Sequence, residues 1–256
     1  MKKYFIYLAK AIILFVFIFY STGIIAQHYK VSRVEASRIE ITSAFDKNPD
    51  VKALRILKPY KTKIDTMMSH VIGVSDCSMT ASRPESLLTN WVADVLMNES
   101  EKYIGFKPDL AVINVGGLRA AMPKGNITKE NIYEIAPFEN ALCVVVLTGD
   151  ELTQLFRQIA HLGGEGISGA RLLIDKKGEL LAALIGTDDI DIDRRYKIAT
   201  VDYLAEGNDG MGAFSLSNER IKSAITLRQM LLDYVYRVTK QEKHIESKLD
   251  GRIRIK

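Results

Sequence analysis

The chain opens on two lysines and then runs apolar, most densely over residues 11–20, before Ser21, Thr22 and Gly23 interrupt it. A basic start, a short apolar centre and a small-residue end are the three parts of a secretory signal peptide, here with the cut expected at Ala26–Gln27. The apolar centre is shorter than a membrane-spanning helix needs. Residues 1–26 are read as the signal peptide and residues 27–50, polar and mixed, as a leader segment. Residues 51–256 are read as one domain, exported to the periplasm or cell surface. An uncleaved signal anchor is the only membrane attachment expected.

Beyond the leader, the spacing of apolar positions predicts a sequence of helices and strands. Residues 51–68 read as a helix broken near Pro59, because proline lacks the donor a helix interior uses. Residues 70–74 form a short strand. Leu87, Leu88, Trp91, Val92, Val95 and Leu96 recur at three-to-four spacing and predict a helix over 85–100 with one buried stripe. Residues 109–114 are a short apolar run ending in Gly116-Gly117, a strand feeding a tight turn. Thr128 starts a short helix. Residues 141–147 are a β-branched run, the mark of a strand buried on both faces. Thr148-Gly-Asp-Glu opens a helix to 159, and Gly163, Gly164, Gly166 and Gly169 predict a loop. Residues 171–175 and 180–185 pair as a hairpin. Residues 196–203 form a strand that Tyr203 closes, before the turn Gly207-Asn-Asp-Gly210. A helix over 225–238 and a strand over 252–255 complete the chain. Strands and helices alternate irregularly, which predicts an α+β (mixed α/β) domain built on a single mixed sheet with flanking helices.

Composition narrows the function. Apolar residues make up 47% of the 256 and charged residues 26%, which excludes disorder over most of the chain. The net charge of +4 includes Lys2, Lys3 and Lys10, with no acid before Glu35; without residues 1–26 it falls to +1. So small an excess does not make a nucleic-acid-binding surface. Two cysteines, Cys77 and Cys143, cannot build a disulfide framework. Four scattered histidines (His28, His70, His161, His244) lack metal-ligand spacing, so no metal site is expected.

Three segments put reactive or aromatic groups on loops. Asn114-Val-Gly-Gly-Leu-Arg119 combines an amide suited to a heterocycle edge, two glycines that let a ligand approach the main chain, and a guanidinium suited to phosphate or carboxylate. Tyr203-Leu-Ala-Glu-Gly-Asn-Asp-Gly210 offers a ring for stacking, and Asp209 to accept from two ribose hydroxyls. Ser82-Arg-Pro-Glu-Ser86 precedes a helix, where Arg83 could join an anion site and Glu85 complement the dipole of the first turn. Taken singly, each is equally a turn or a cap.

Together and in this order, the segments resemble the C-terminal domain of the 5′-nucleotidase family. The resemblance is carried by Glu85-Ser-Leu-Leu-Thr-Asn-Trp-Val-Ala-Asp94, Asn114-Val-Gly-Gly-Leu-Arg119, Pro137-Phe-Glu-Asn140 with Leu147-Thr-Gly149, Ser168-Gly169, and Asn208-Asp-Gly210. It implies that this part of the chain binds the nucleoside portion of a nucleotide. Asn114, Gly116, Gly117 and Arg119 would then contact substrate, Tyr203 would stack on the base and Asp209 would hold the ribose. Two departures stand out. The family's second stacking aromatic falls on Leu142, which implies a one-sided clamp, with Phe138 as a substitute or as a structural residue. The family's arginine before the glutamate falls on Pro84, which leaves Arg83 one place out of register.

The family's hydrolysis depends on two metal ions bound by a separate metallophosphoesterase domain with Asp-x-His, Gly-Asn-His and Gly-His-x-His motifs. None of these occurs here. The resemblance therefore implies a substrate-binding component with no catalytic residue and no cofactor of its own, inactive alone. Divalent metals and hydrolysis would belong to a separate metallophosphoesterase chain. The alternative is an exported nucleoside-binding protein with no catalytic role.

Overall fold

The computed structural model describes residues 2–21 and 30–256, without the side chains of residue 2 and residues 16–21. The expected cut at 26–27 lies outside the described residues. Two units are present, residues 1–54 and 55–256. In the first, helix α1 spans Lys2–Ser21, and a 3-10 turn spans Ser43–Lys47 behind a Thr42 cap. Among the described residues no helix is long and apolar enough to cross a membrane. Helix α2 spans Val51–Met68 and runs unbroken through Pro59, contrary to the sequence expectation. Proline removes one backbone bond, and the exposed turns on either side keep their own.

Strand β1 (Val71–Ser75) leads to helix α3 (Leu87–Glu99) and the single turn α4 (Glu101–Ile104). Next come strand β2 (Leu110–Ile113), strand β3 (Gly125–Thr128), helix α5 (Lys129–Ile135) and strand β4 (Ala141–Thr148). Helix α6 (Gly149–His161) precedes strands β5 (Gly166–Ser168), β6 (Ala170–Ile174), β7 (Leu180–Ile185) and β8 (Asp188–Asp189). Strand β9 (Arg195–Val201), the short helix α7 (Asp202–Ala205), strand β10 (Arg220–Thr226), helix α8 (Leu227–Lys240) and strand β11 (Ile253–Ile255) finish the chain.

The mixed α/β class holds, but among the described residues the strands divide among three sheets. A five-stranded mixed sheet in the order β10-β4-β9-β2-β5 lies at the centre, with a four-stranded sheet β11-β6-β7-β8 and the pair β1-β3 beside it. The central sheet is buried as its β-branched runs require: β2 is buried throughout, and β4 from Leu142 to Leu147. Helix α3 packs on β2 and β5 with Leu88, Trp91, Val92, Val95 and Leu96, and α6 packs on β4 and β9. Three helices start on a hydroxyl cap whose partner three residues on closes the reciprocal bond: Ser86 with Thr89, Thr128 with Asn131, and Thr148 with Glu151.

Other differences from the sequence expectation have local causes. The glycine loop contains β5, because a Cβ on Gly166 would stand 2.6 Å from the Ile113 side chain. That glycine is there for strand packing rather than for a turn. Helix α3 starts at Leu87 behind its Ser86 cap, so Glu85 precedes the first turn and accepts from Asn90 Nδ2 (2.7 Å) and Asp250 N–H (3.0 Å). Strand β10 occupies a stretch with no element predicted before 225; it is a sheet edge whose lysine and serine interrupt the apolar signal.

Candidate functional site

Strand direction explains why distant segments meet. β2 and β9 are parallel, so both end at the same edge of the central sheet. β4 runs against β9, with Leu142 opposite Val201, so β4 begins where β9 ends. The segments after β2, after β9 and before β4 are therefore neighbours. Asp202 Oδ1 ties two of them by accepting from Ala141 N–H at 3.1 Å. A cavity of about 430 Å³ opens there. Asn114, Gly116, Gly117 and Arg119 line one part, Phe138 and Asn140 a second, Tyr203 and Asp209 a third. The size suits a small organic ligand, and the lining carries one cation and one anion.

Asp209 is the hub. Its backbone is left-handed, with φ of 53°, between two glycines that are also left-handed, Gly207 and Gly210. Aspartate tolerates this conformation better than most residues. The turn aims its carboxylate so that Tyr203 Oη donates to Oδ1 at 2.8 Å and Asn114 Nδ2 donates to Oδ2 at 2.5 Å. That bond and the negative charge push the tyrosine hydroxyl above its ordinary pKa. Asn114 is only 3% exposed, and its Oδ1 is buried without a hydrogen-bond partner. Such an atom is costly to keep. Gly117 makes room for it, since a Cβ there would lie 2.7 Å from that oxygen. Arg119 is exposed and donates from Nη1 to Gly116 O at 3.2 Å, using one of five guanidinium donors.

Tyr203 lies in the first turn of α7 rather than at the end of β9, and is 41% exposed. Asn208 Nδ2 donates to its carbonyl at 2.8 Å, closing the loop on itself. Leu142, the position expected to replace a second aromatic, does not line the cavity. That leucine is fully buried in β4, while Phe138 is 48% exposed and lines the cavity. The Pro137–Glu139 loop is held by a residue that sequence reasoning missed. Arg228, buried in the first turn of α8, donates from Nη1 to Pro137 O at 3.0 Å and Ala136 O at 3.3 Å, and pairs with Glu139. Its guanidinium also sits 4.4 Å from the centre of the Tyr133 ring. The signal available was an arginine set in the apolar stripe of a helix.

Arg83 does not join this group. It pairs with the buried Glu165 and donates from Nε to Gly164 O at 2.9 Å, away from the cavity lining. The expected anion site at the start of α3 is thus already occupied by a carboxylate. Ser168 is structural as well: its hydroxyl donates to Asp94, which accepts from the buried Arg252 at 2.8 Å. Among the described residues, no three His, Cys, Asp or Glu side chains come together as metal ligands. His244 pairs with Asp76 at 2.6 Å, and those residues do not fit a two-metal centre. A larger cleft of about 680 Å³ contains that pair and Glu99, which is bridged to Arg237 and Lys102. It shares no residue with the first cavity.

Comparison with known proteins decides what this arrangement belongs to. A family model for the 5′-nucleotidase C-terminal domain matches residues 68–216, more than half of the chain. The chain belongs to the 5′-nucleotidase C-terminal domain family. It is similar to the trifunctional nucleotide phosphoesterase protein YfkN of Bacillus subtilis, 27% identical over 199 residues, covering 70% of this chain and 13% of that protein. It is 26% identical over 212 residues to a probable 5′-nucleotidase of Treponema pallidum, covering 69% and 36%. Among solved structures, the 5′-nucleotidase precursor of Thermus thermophilus superposes with a TM-score of 0.69 at 26% identity, covering 80% of this chain and 43% of that one. The chain thus spans well under half the length of these relatives. The family match takes in the Asn114, Phe138, Tyr203 and Asp209 loops and β2 to β9 between them.

Proposed function

We propose that this domain binds the nucleoside part of a nucleotide and presents it to a metallophosphoesterase carried on a separate chain. The observation that carries the reading is the convergence, in one cavity, of two exposed aromatic rings and a carboxylate held by both Tyr203 and Asn114. Phe138 and Tyr203 supply flat faces for a base, Asp209 supplies acceptors for ribose hydroxyls, and Arg119 supplies donors for a phosphate. The reading assigns hydrolysis to that partner, since the two-metal motifs of the family do not occur in this sequence. The N-terminal segment supports an exported protein.

Titration calorimetry of the purified chain with adenosine tests binding, and adding an exported metallophosphoesterase from the same source tests presentation. The reading expects adenosine to bind, and AMP hydrolysis to rise above that of the partner alone. Binding without that rise would leave a nucleoside-binding protein with no catalytic role. Tyr203→Ala and Phe138→Ala should each weaken adenosine binding by about 1–3 kcal/mol, the worth of one stacked base. An unchanged affinity in either variant removes that ring from the clamp.

A further inference from the structure

We propose that Glu165, which lies outside the cavity, is the positioning residue for the wall that carries Asn114 and its two glycines. The inference rests on the nucleoside-binding reading of that cavity. The Glu165 side chain is 1% exposed and sits just before β5. One carboxylate oxygen accepts the N–H of Val115, and the other pairs with Arg83. Arg83 in turn donates to the carbonyl of Gly164, the residue before Glu165, at 2.9 Å. A closed ring of bonds thus joins the approach to α3, the start of β5 and the ligand loop.

Val115 opens the 3-10 turn Val115–Gly117, where the first backbone N–H groups have no partner within the turn. The turn's own bonds are Gly117 N–H to Asn114 O and Leu118 N–H to Val115 O. Glu165 supplies the acceptor that Val115 lacks. Asn114 is then fixed from two sides, its side chain by Asp209 and its outgoing peptide by Glu165. A loop held in one arrangement binds without first spending affinity on reaching it.

Stability does not account for an ionised carboxylate there. Burial pushes the Glu165 carboxyl above the ordinary glutamate range, and the negative charge of Asp209 adds to that. The Val115 N–H and Arg83 pull it down without reversing the direction. A carboxyl whose folded pKa is raised contributes stability that is present at low pH and lost as pH rises through the folded value. Wherever the carboxyl is ionised its charge therefore does not favour folding, and its effect lies in the turn it holds.

The test compares the full chain with Glu165→Gln and Glu165→Ala. Alanine orphans the Val115 N–H, and adenosine affinity should fall about tenfold. Glutamine keeps one acceptor, so its affinity should fall only about threefold, while its melting temperature at neutral pH stays at or above wild type. As pH is lowered through the raised carboxyl, wild-type affinity should converge on that of Glu165→Gln, whose own profile lacks the step. A structural role would move melting temperature and affinity together and leave the two pH profiles parallel. That result, or wild-type affinity in the alanine variant, overturns the proposal. Amide hydrogen exchange at Val115 in the ligand-free protein separates this inference from the binding reading. Protection should fall in Glu165→Ala whether or not adenosine binds, and unchanged protection rejects the positioning role outright.

Discussion

Asp209→Ala is expected to lower adenosine affinity by at least about 100-fold, the largest loss from any single change at the cavity. Three sets of bonds end on this carboxylate: those proposed to the ribose, the Tyr203 hydroxyl at 2.8 Å and the Asn114 amide at 2.5 Å. Hydrogen bonds to a charged group are worth about 1.5–3 kcal/mol each, so losing two reaches that factor. The damage extends beyond the ligand contact. Asn114 is buried with its Oδ1 already unpartnered, and without Asp209 its Nδ2 is orphaned as well. Tyr203 also loses the bond that orients its ring. The orphaned amide and an alanine in a left-handed turn should also lower the melting temperature by several degrees, so calorimetry is run where a thermal melt shows the variant fully folded. Asp209→Asn tolerates the left-handed backbone and keeps one acceptor, and should fall in between. An alanine variant binding within threefold of wild type would show that the carboxylate is a turn residue and nothing more.

What could be read from the sequence and what could not divide along physical lines. Elements defined by local periodicity were legible: the α3 helix around Trp91, the buried run of β4 and the Thr148 cap of α6 lie where their spacing places them, although α3 also buries Thr89, Asn90 and Ala93 beyond the expected stripe. The loops of the site were legible too, because glycines and an Asn-Asp-Gly turn mark backbone that must approach something closely. Longer-range facts left no local trace. Gly166 reads as a loop glycine until Ile113 is seen against it. Phe138 and Leu142 are four residues apart, and only the strand register shows that one lines the cavity and the other is sealed inside β4. Arg83 reads as a free cation near a helix start, since its partner Glu165 is 82 residues away in sequence. Arg228 is likewise invisible as a loop anchor until α8 is packed beside residues 136–139. In each case burial and pairing across the fold set the role.

The same long-range packing sets the largest expected stability effect, at Gly164. Its φ is +111°, and a Cβ there would lie 2.4 Å from Pro84 O and 2.7 Å from Pro84 Cα. Backbone atoms on a loop already tied down by Arg83 and Glu165 cannot give way as a side-chain tip could. Gly164→Ala should therefore cost about 3–5 kcal/mol, combining backbone strain with overpacking. For a domain of this size that corresponds to a fall of about 10 °C in melting temperature. Gly163 is the internal control. It too is left-handed, at φ +81°, but a Cβ there would come no closer than 3.7 Å, to Arg83 Cδ. Gly163→Ala should cost only the conformational strain, about 1–2 kcal/mol. The two variants also differ in function. Gly164 provides the carbonyl that Arg83 grips and precedes Glu165, so forcing it off Pro84 loosens the ring of bonds behind Asn114. Gly164→Ala should therefore bind adenosine more weakly even at temperatures where it is fully folded, while Gly163→Ala binds as wild type does. Equal melting temperatures for the two variants would mean that Pro84 can move aside, and the rigid backing assigned to this wall of the cavity would fail with it.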